Sequence, residues 1–211
     1  TAAGGKLNMK NRTNVRWLTQ LALLAAILLV MNYTPLGYLQ LGPLSASLLT
    51  VPVAIGAMTM GPLAGAILGG IFGATSFIQM VEGKSAMGAA LFSVNPFGAF
   101  VVSFVARVLV GLCAGLIFKA LCKALPKKEK LCCVIGAICT PVLNTVFFMG
   151  FLVLFFYNCD YVQNLAQTLG ATNAFMFIVL LVGVQAVIEW LICGVVASAV
   201  TLPVRKYLKL N

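Results

Sequence analysis

The chain has 211 residues, of which 62% are hydrophobic and 9% charged, and its formal net charge is +10. Soluble globular domains carry roughly 25% charged residues, so water is excluded as the main solvent. A hydrocarbon core about 30 Å thick needs about 20 apolar residues per helix, which allows six crossings and leaves no room for a separate soluble domain. The expected fold class is therefore all-α: an integral membrane protein of six transmembrane helices with cytoplasmic N and C termini.

Residues 1–8, small and polar before Met9, read as a cloning scar, and residues 9–211 as a single six-helix membrane domain. The first apolar segment, 15–32, is longer than a signal-peptide core and is followed by a poor cleavage site, so it stays as a membrane helix. Ala22 and Ala26 share one face of it, a spacing that lets a second helix backbone approach closely. The next segments, 46–60 and 62–80, meet at Gly61-Pro62, a dipeptide that cannot continue a regular helix and so predicts a tight hairpin. The first arm of that hairpin is short for a full crossing. Gly61, Gly65, Gly69 and Gly73 recur every fourth residue through the second arm and form a groove for a close neighbour, with the hairpin partner as the default. Segments 96–125, 131–157 and 174–204 complete the six.

Orientation follows from the cations. Lys6, Lys10, Arg12 and Arg16 precede the first helix. Lys119, Lys123, Lys127, Lys128 and Lys130 lie around the connection of the fourth and fifth helices, and Arg205, Lys206 and Lys209 close the chain. Six crossings put these twelve on one side, the cytoplasm, and leave the opposite loops with Lys84 as their sole cation. Charge that follows topology this closely does not mark a nucleic-acid protein. No internal repeat of the kind that builds secondary transporters from two related halves is visible, which weakens a self-sufficient carrier.

Arg107 and Glu189 are the informative residues, because a charge near the bilayer centre costs at least about 2.5 kcal/mol on insertion scales. Arg107 lies eleven residues inward from Pro96, roughly 16 Å, and Glu189 lies fifteen residues from Ala174, roughly 22 Å. Either the two neutralise one another and fix helix packing, or Arg107 receives an anionic substrate, for which a guanidinium offers two parallel hydrogen bonds. Asn144, Gln185, Gln79 and Asn95 add polar groups able to line the same cavity or to bond neighbouring helices. Pro96 favours a chain break at Asn95, which puts that side chain on a loop able to reach inward.

Catalysis is not supported. The chain has no His, no paired carboxylates and no phosphate loop, so Ser-His, mixed zinc and nucleotide sites cannot be assembled. The seven cysteines, including adjacent Cys132 and Cys133, read as small apolar filler, and no cofactor or metal is expected.

The ordered motifs resemble one family, the S-components of energy-coupling factor vitamin transporters. They run from Ala22-x-x-x-Ala26 through Leu41-Gly42-Pro43, Val51-Pro52-Val53-Ala54-Ile55-Gly56-Ala57 and Gly61-Pro62-Leu63-Ala64-Gly65-Ala66. They continue with Asn95-Pro96-Phe97-Gly98, Gly111 to Gly115, Pro141-Val142-Leu143-Asn144-Thr145 and Ile188-Glu189. The resemblance implies a six-helix subunit of the bacterial cell membrane that binds a small vitamin from outside under its external loops. It also implies docking on a membrane coupling subunit that carries two cytoplasmic ATPases, with the whole subunit toppling for release inward. By match, Ala22 and Ala26 become the partner-binding face, and the subunit itself hydrolyses nothing. Asn95-Pro96 and Pro141-Val142-x-Asn144 look most like pantothenate members, with riboflavin, folate or another small vitamin as rivals. Pantothenate carries a carboxylate, hydroxyls and an amide, which suit Arg107, Asn95 and Asn144, and the substrate-binding set is completed by Gln185, Glu189 and Gln79. Arg107 departs from the Lys of related sequences, keeping the charge but changing the geometry. A free-standing carrier or channel and a ligand-free structural subunit are the competing readings from other classes.

Overall fold

The computed structural model describes residues 2–34, 37–40 and 45–208. Leu41-Gly42-Pro43 and Lys209 lie outside the described residues, as do the side chains of Lys6, Lys10 and Arg12. The described chain is almost entirely helical, and five of its helices are long and apolar enough to cross a membrane: Val15–Tyr33, Pro62–Val81, Pro96–Ala124, Glu129–Phe156 and Gln185–Tyr207.

Helix α1 (Ala2–Tyr33) buries Leu21 and Leu28, seven residues apart and so on one stripe, while Leu18, Leu23 and Val30 are exposed. Its end folds directly into a ribbon that the sequence reading lacked. Strand β1 (Tyr38–Gln40) pairs antiparallel with β2 (Ser45–Ser47), Tyr38 opposite Ser47. The return to α1 needs a glycine at position 37, because a Cβ there would fall on the main-chain carbonyl of Met31.

Helix α2 (Thr50–Met60) has 11 residues, about 16 Å, and is buried along nearly its whole length. A helix apolar on every side belongs inside a bundle. It fills half of the bundle's depth: its Thr50 end meets Glu189 and its Met58 carbonyl meets Arg205. The ribbon enters from the other half to join it. Gly61 then stops the helix with φ +94 while its N–H caps the Ala57 carbonyl, and Pro62 opens α3 (Pro62–Val81), giving the tight turn the dipeptide predicts.

The glycine groove of α3 faces α6 (Ala106–Ala124) more than its hairpin partner, although a Cβ on Gly65 would also lie 2.9 Å from the Cβ of Ala57 on α2. It packs on α6: a Cβ on Gly65 would strike the Gly111 carbonyl, one on Gly69 the Arg107 carbonyl, and one on Gly115 the Pro62 backbone. Side-chain-free surfaces on both helices permit this approach, and α2, with a single Gly56 toward Leu68, does not supply one.

Two of the connections between the long helices contain short helices. Between α3 and the Pro96–Ala124 span lies α4 (Ala86–Val94), capped by the Ser85 hydroxyl, which accepts from the Gly88 N–H at 3.2 Å. Pro96 then opens α5 (Pro96–Phe100), and a π-helical turn (Val101–Val105) joins it to α6. Helix α7 (Glu129–Phe156) contains Pro141, α8 (Asp160–Thr168) follows it with Val162 and Ala166 buried, and α9 (Ala174–Leu208) closes the chain. Three apolar clusters hold these together. Met80, Leu91, Val102, Met149, Leu152, Phe156 and Phe177 form the outer one. Ala54, Met58, Phe118 and Ala197 form the inner one, with Cys132, Cys133 and Cys193 among them as buried filler. Leu28, Leu49, Val53, Leu68 and Phe72 bind α1 to the hairpin.

Arg205, one of the cations near the end of the chain, is buried. Its Nε donates to Glu129 Oε1 at 2.9 Å, its Nη1 donates to the Met58 carbonyl at 2.9 Å, and its guanidinium lies 5.1 Å from the Phe118 ring. One side chain of α9 thereby ties α2, α6 and α7.

Candidate functional site: a polar cavity in the outer half of the bundle

A cavity of about 350 Å³ opens beside the outer apolar cluster. Helices α3, α4, α6, α7 and α9 and strand β2 all contribute to its wall. Five of the six substrate-site candidates read from the sequence meet there: Gln79, Arg107, Asn144, Gln185 and Glu189.

Arg107 follows the π turn, and the local structure explains how the charge is carried. Its Nη1 donates to the Val102 carbonyl at 3.1 Å and the Ser103 carbonyl at 2.9 Å, within the widened turn. The guanidinium also lies 4.6 Å from the Phe72 ring and 5.3 Å from that of Phe148, so two aromatic faces and two backbone dipoles surround it. Two direct ion pairs occur among the described residues, Lys84 with Glu82 and Arg205 with Glu129, and a direct contact of Arg107 with Glu189 is not among them. Glu189 is 5% exposed and instead meets the Thr50 hydroxyl at 3.2 Å, which itself sits 3.1 Å from the Ser47 carbonyl. That contact pins the junction of β2 and α2 to α9.

Asn144 projects from α7 one turn beyond Pro141, next to Thr145, whose hydroxyl returns to the Pro141 carbonyl at 3.1 Å. Gln79 donates to Asn32 Oδ1 at 3.2 Å and so joins the cavity to the end of α1. Asn95 stands apart from the cavity lining. Its Oδ1 accepts from the Gly98 N–H at 3.0 Å and so caps α5.

Several lining residues carried no sequence signal. Ser76 lies within an apolar helix, where a hydroxyl ordinarily returns to its own backbone, as neighbouring Thr75 does to the Phe72 carbonyl at 2.9 Å. Ser76 makes no such bond. Three buried oxygens on this wall, Ser47 Oγ, Ser76 Oγ and Asn144 Oδ1, have no hydrogen-bond partner among the described residues. Lys84 and Ser85 complete the polar lining at the end of α3. Their sequence clue was Lys84 itself, the lone cation of the outer loops.

The partner-face candidates lie elsewhere. Ala22 and Ala26 are both exposed on α1.

A family profile described as "ECF transporter, substrate-specific component" matches residues 16–201. The chain is also 33% identical over 96 residues to the protein described as "Pantothenate transporter PanT" of Leuconostoc mesenteroides subsp. mesenteroides. That match covers 46% of this chain and 44% of the relative, less than half of each. The profile runs from the start of the first membrane helix into the last, across every element that lines the cavity. The chain therefore belongs to the substrate-specific components of ECF transporters, multi-pass proteins of the bacterial cell membrane that bind substrate and are not a catalytic family.

Proposed function

We propose that the chain is the high-affinity pantothenate-binding subunit of an energy-coupling factor importer. In this reading Arg107 receives the ligand carboxylate. Asn144, Gln185, Gln79 and Glu189 meet its hydroxyl and amide groups, and Asn95 acts at one remove by capping the helix that leads to Arg107. Six crossings with both ends cytoplasmic, the second made jointly by α2 and the ribbon, keep the cavity on the outer side. A membrane coupling subunit docks on Ala22 and Ala26, and two partner ATPases hydrolyse the ATP.

The observation that supports this most is the convergence on a single cavity wall of one guanidinium and three buried oxygens without a partner among the described residues. A buried polar oxygen without a partner costs about 1–3 kcal/mol, and a ligand rich in hydroxyl and amide groups repays that cost on binding. At about 350 Å³ the cavity lies within the roughly 300–1,000 Å³ range of ligand pockets and so admits a small vitamin.

Mass spectrometry of the small molecule that copurifies with the solubilised protein tests the substrate. Recovered pantothenate supports the reading, and recovered riboflavin or folate overturns the choice of vitamin.

A further inference from the structure

The outer end of α3 turns back over the cavity. Glu82 ends the helix, Gly83 takes φ +70, and the Lys84 N–H then donates to the Gln79 carbonyl at 3.0 Å. Only a residue tolerant of the left-handed region makes that reversal cheaply, and its result is to set Lys84 and Ser85 in the cavity lining. The Lys84 ammonium is not committed to the interior. It pairs with Glu82 at 2.7 Å, with both side chains about half exposed, and lies 5.7 Å from the Tyr33 ring at the end of α1. The hydrogen bond and charge of Glu82 raise the Lys84 pKa above its ordinary value, so the cation persists throughout the neutral range.

Two cations thus line one cavity under different constraints. Arg107 is built into the wall through two backbone carbonyls and two rings. Lys84 sits at the mouth in an exposed pair, and such pairs are weak and exchange readily with solvent or another anion. Exposed charge at the rim of a binding site acts mainly on the rate of association and its salt dependence, while desolvated charge deep in the site acts on dissociation.

We infer that Lys84 is the guiding residue of the site: it leaves Glu82 to receive the anionic group of an arriving ligand at the mouth and passes it inward to Arg107. The inference rests on the anionic-vitamin reading above and adds to it a division of labour between the two cations.

The test is the association and dissociation kinetics of radiolabelled pantothenate on the purified full chain in detergent, by scintillation proximity at low and high salt. K84Q should associate about three- to tenfold more slowly at low salt, with the difference vanishing at high salt and dissociation unchanged. E82Q, which removes the competing carboxylate, should associate faster than the unmodified protein. The neutral alcohol analogue of pantothenate should associate with K84Q and the unmodified chain at the same rate.

An unchanged rate and salt slope in K84Q would overturn the inference, as would a loss found wholly in dissociation or an equal slowing of the neutral analogue. If R107M loses binding while K84Q is silent, the guiding role alone fails. If the unmodified protein binds no pantothenate, the substrate reading falls and the guiding role falls with it.

Discussion

Gly69 lies so close to Arg107 that a Cβ on the glycine would fall on the arginine's main-chain carbonyl oxygen. The contact makes the α3–α6 seam part of the site, because the separation of these two backbones sets where the Arg107 side chain enters the cavity. Gly65 against Gly111 and Pro62 against Gly115 repeat the contact toward the inner end. In a bilayer, where apolar burial gives helices little reason to associate, this intimacy is what packing depends on.

G69V should therefore destabilise the bundle by about 1–3 kcal/mol through overpacking and displace Arg107 as well. Gly150 and Gly183 are the controls. Nothing lies within 4 Å of a Cβ at either position, so G150A and G183A should be neutral or stabilising by up to about 1 kcal/mol. Thermal unfolding in detergent separates the two classes by sign, and destabilisation of both alike would remove the seam's special role.

At the inner end the ion pair and the carbonyl contact of Arg205 are expected to differ in weight. Glu129 is half exposed, so E129Q should cost no more than about 1 kcal/mol. R205M also strands the Met58 carbonyl inside the bundle and should cost about 2 kcal/mol or more. Equal melting shifts for the two variants would mean that the α2 contact contributes nothing.

The alanines of α1 make a different prediction, because both are exposed. Replacing both Ala22 and Ala26 by Leu should leave stability and vitamin binding unchanged, yet block assembly with the coupling subunit by adding bulk where two helices approach. Reconstituted uptake at the normal rate by the double variant would reject the face.

The buried polar groups were the legible part of the site. Arg107, Glu189, Asn144, Gln79 and Gln185 stand out in apolar segments because lipid makes such residues costly, and the fold gathers all five. What each one bonds was not legible. Opposite charges at similar depth left two readings open, a pair with each other or an arginine that receives an anion; in the structure a π turn and two rings hold the arginine and Thr50 meets the glutamate.

Asn95-Pro96 marked the helix start, and the Asn95 side-chain oxygen makes that start by accepting from the Gly98 N–H. The glycine groove announced a close neighbour without saying which, since a smooth surface fits any other smooth surface. Ser47 and Ser76 were silent, since a hydroxyl in such a segment ordinarily returns to its own backbone, and Lys84 showed only as a lone loop cation because its place in the lining depends on the turn at Gly83. The short 46–60 segment divides into strand β2 and the 11-residue helix α2, which a run of apolar residues alone does not distinguish.

The central claim is that this cavity binds pantothenate through Arg107, and isothermal titration of the purified chain and its Arg107 variants tests it most directly. The unmodified protein should bind pantothenate tightly and riboflavin and folate weakly or not at all. R107M should lose at least about a hundredfold in affinity, while R107K, which keeps the charge without the planar fork, should lose about tenfold. Undiminished pantothenate affinity in a correctly folded R107M protein would contradict the account.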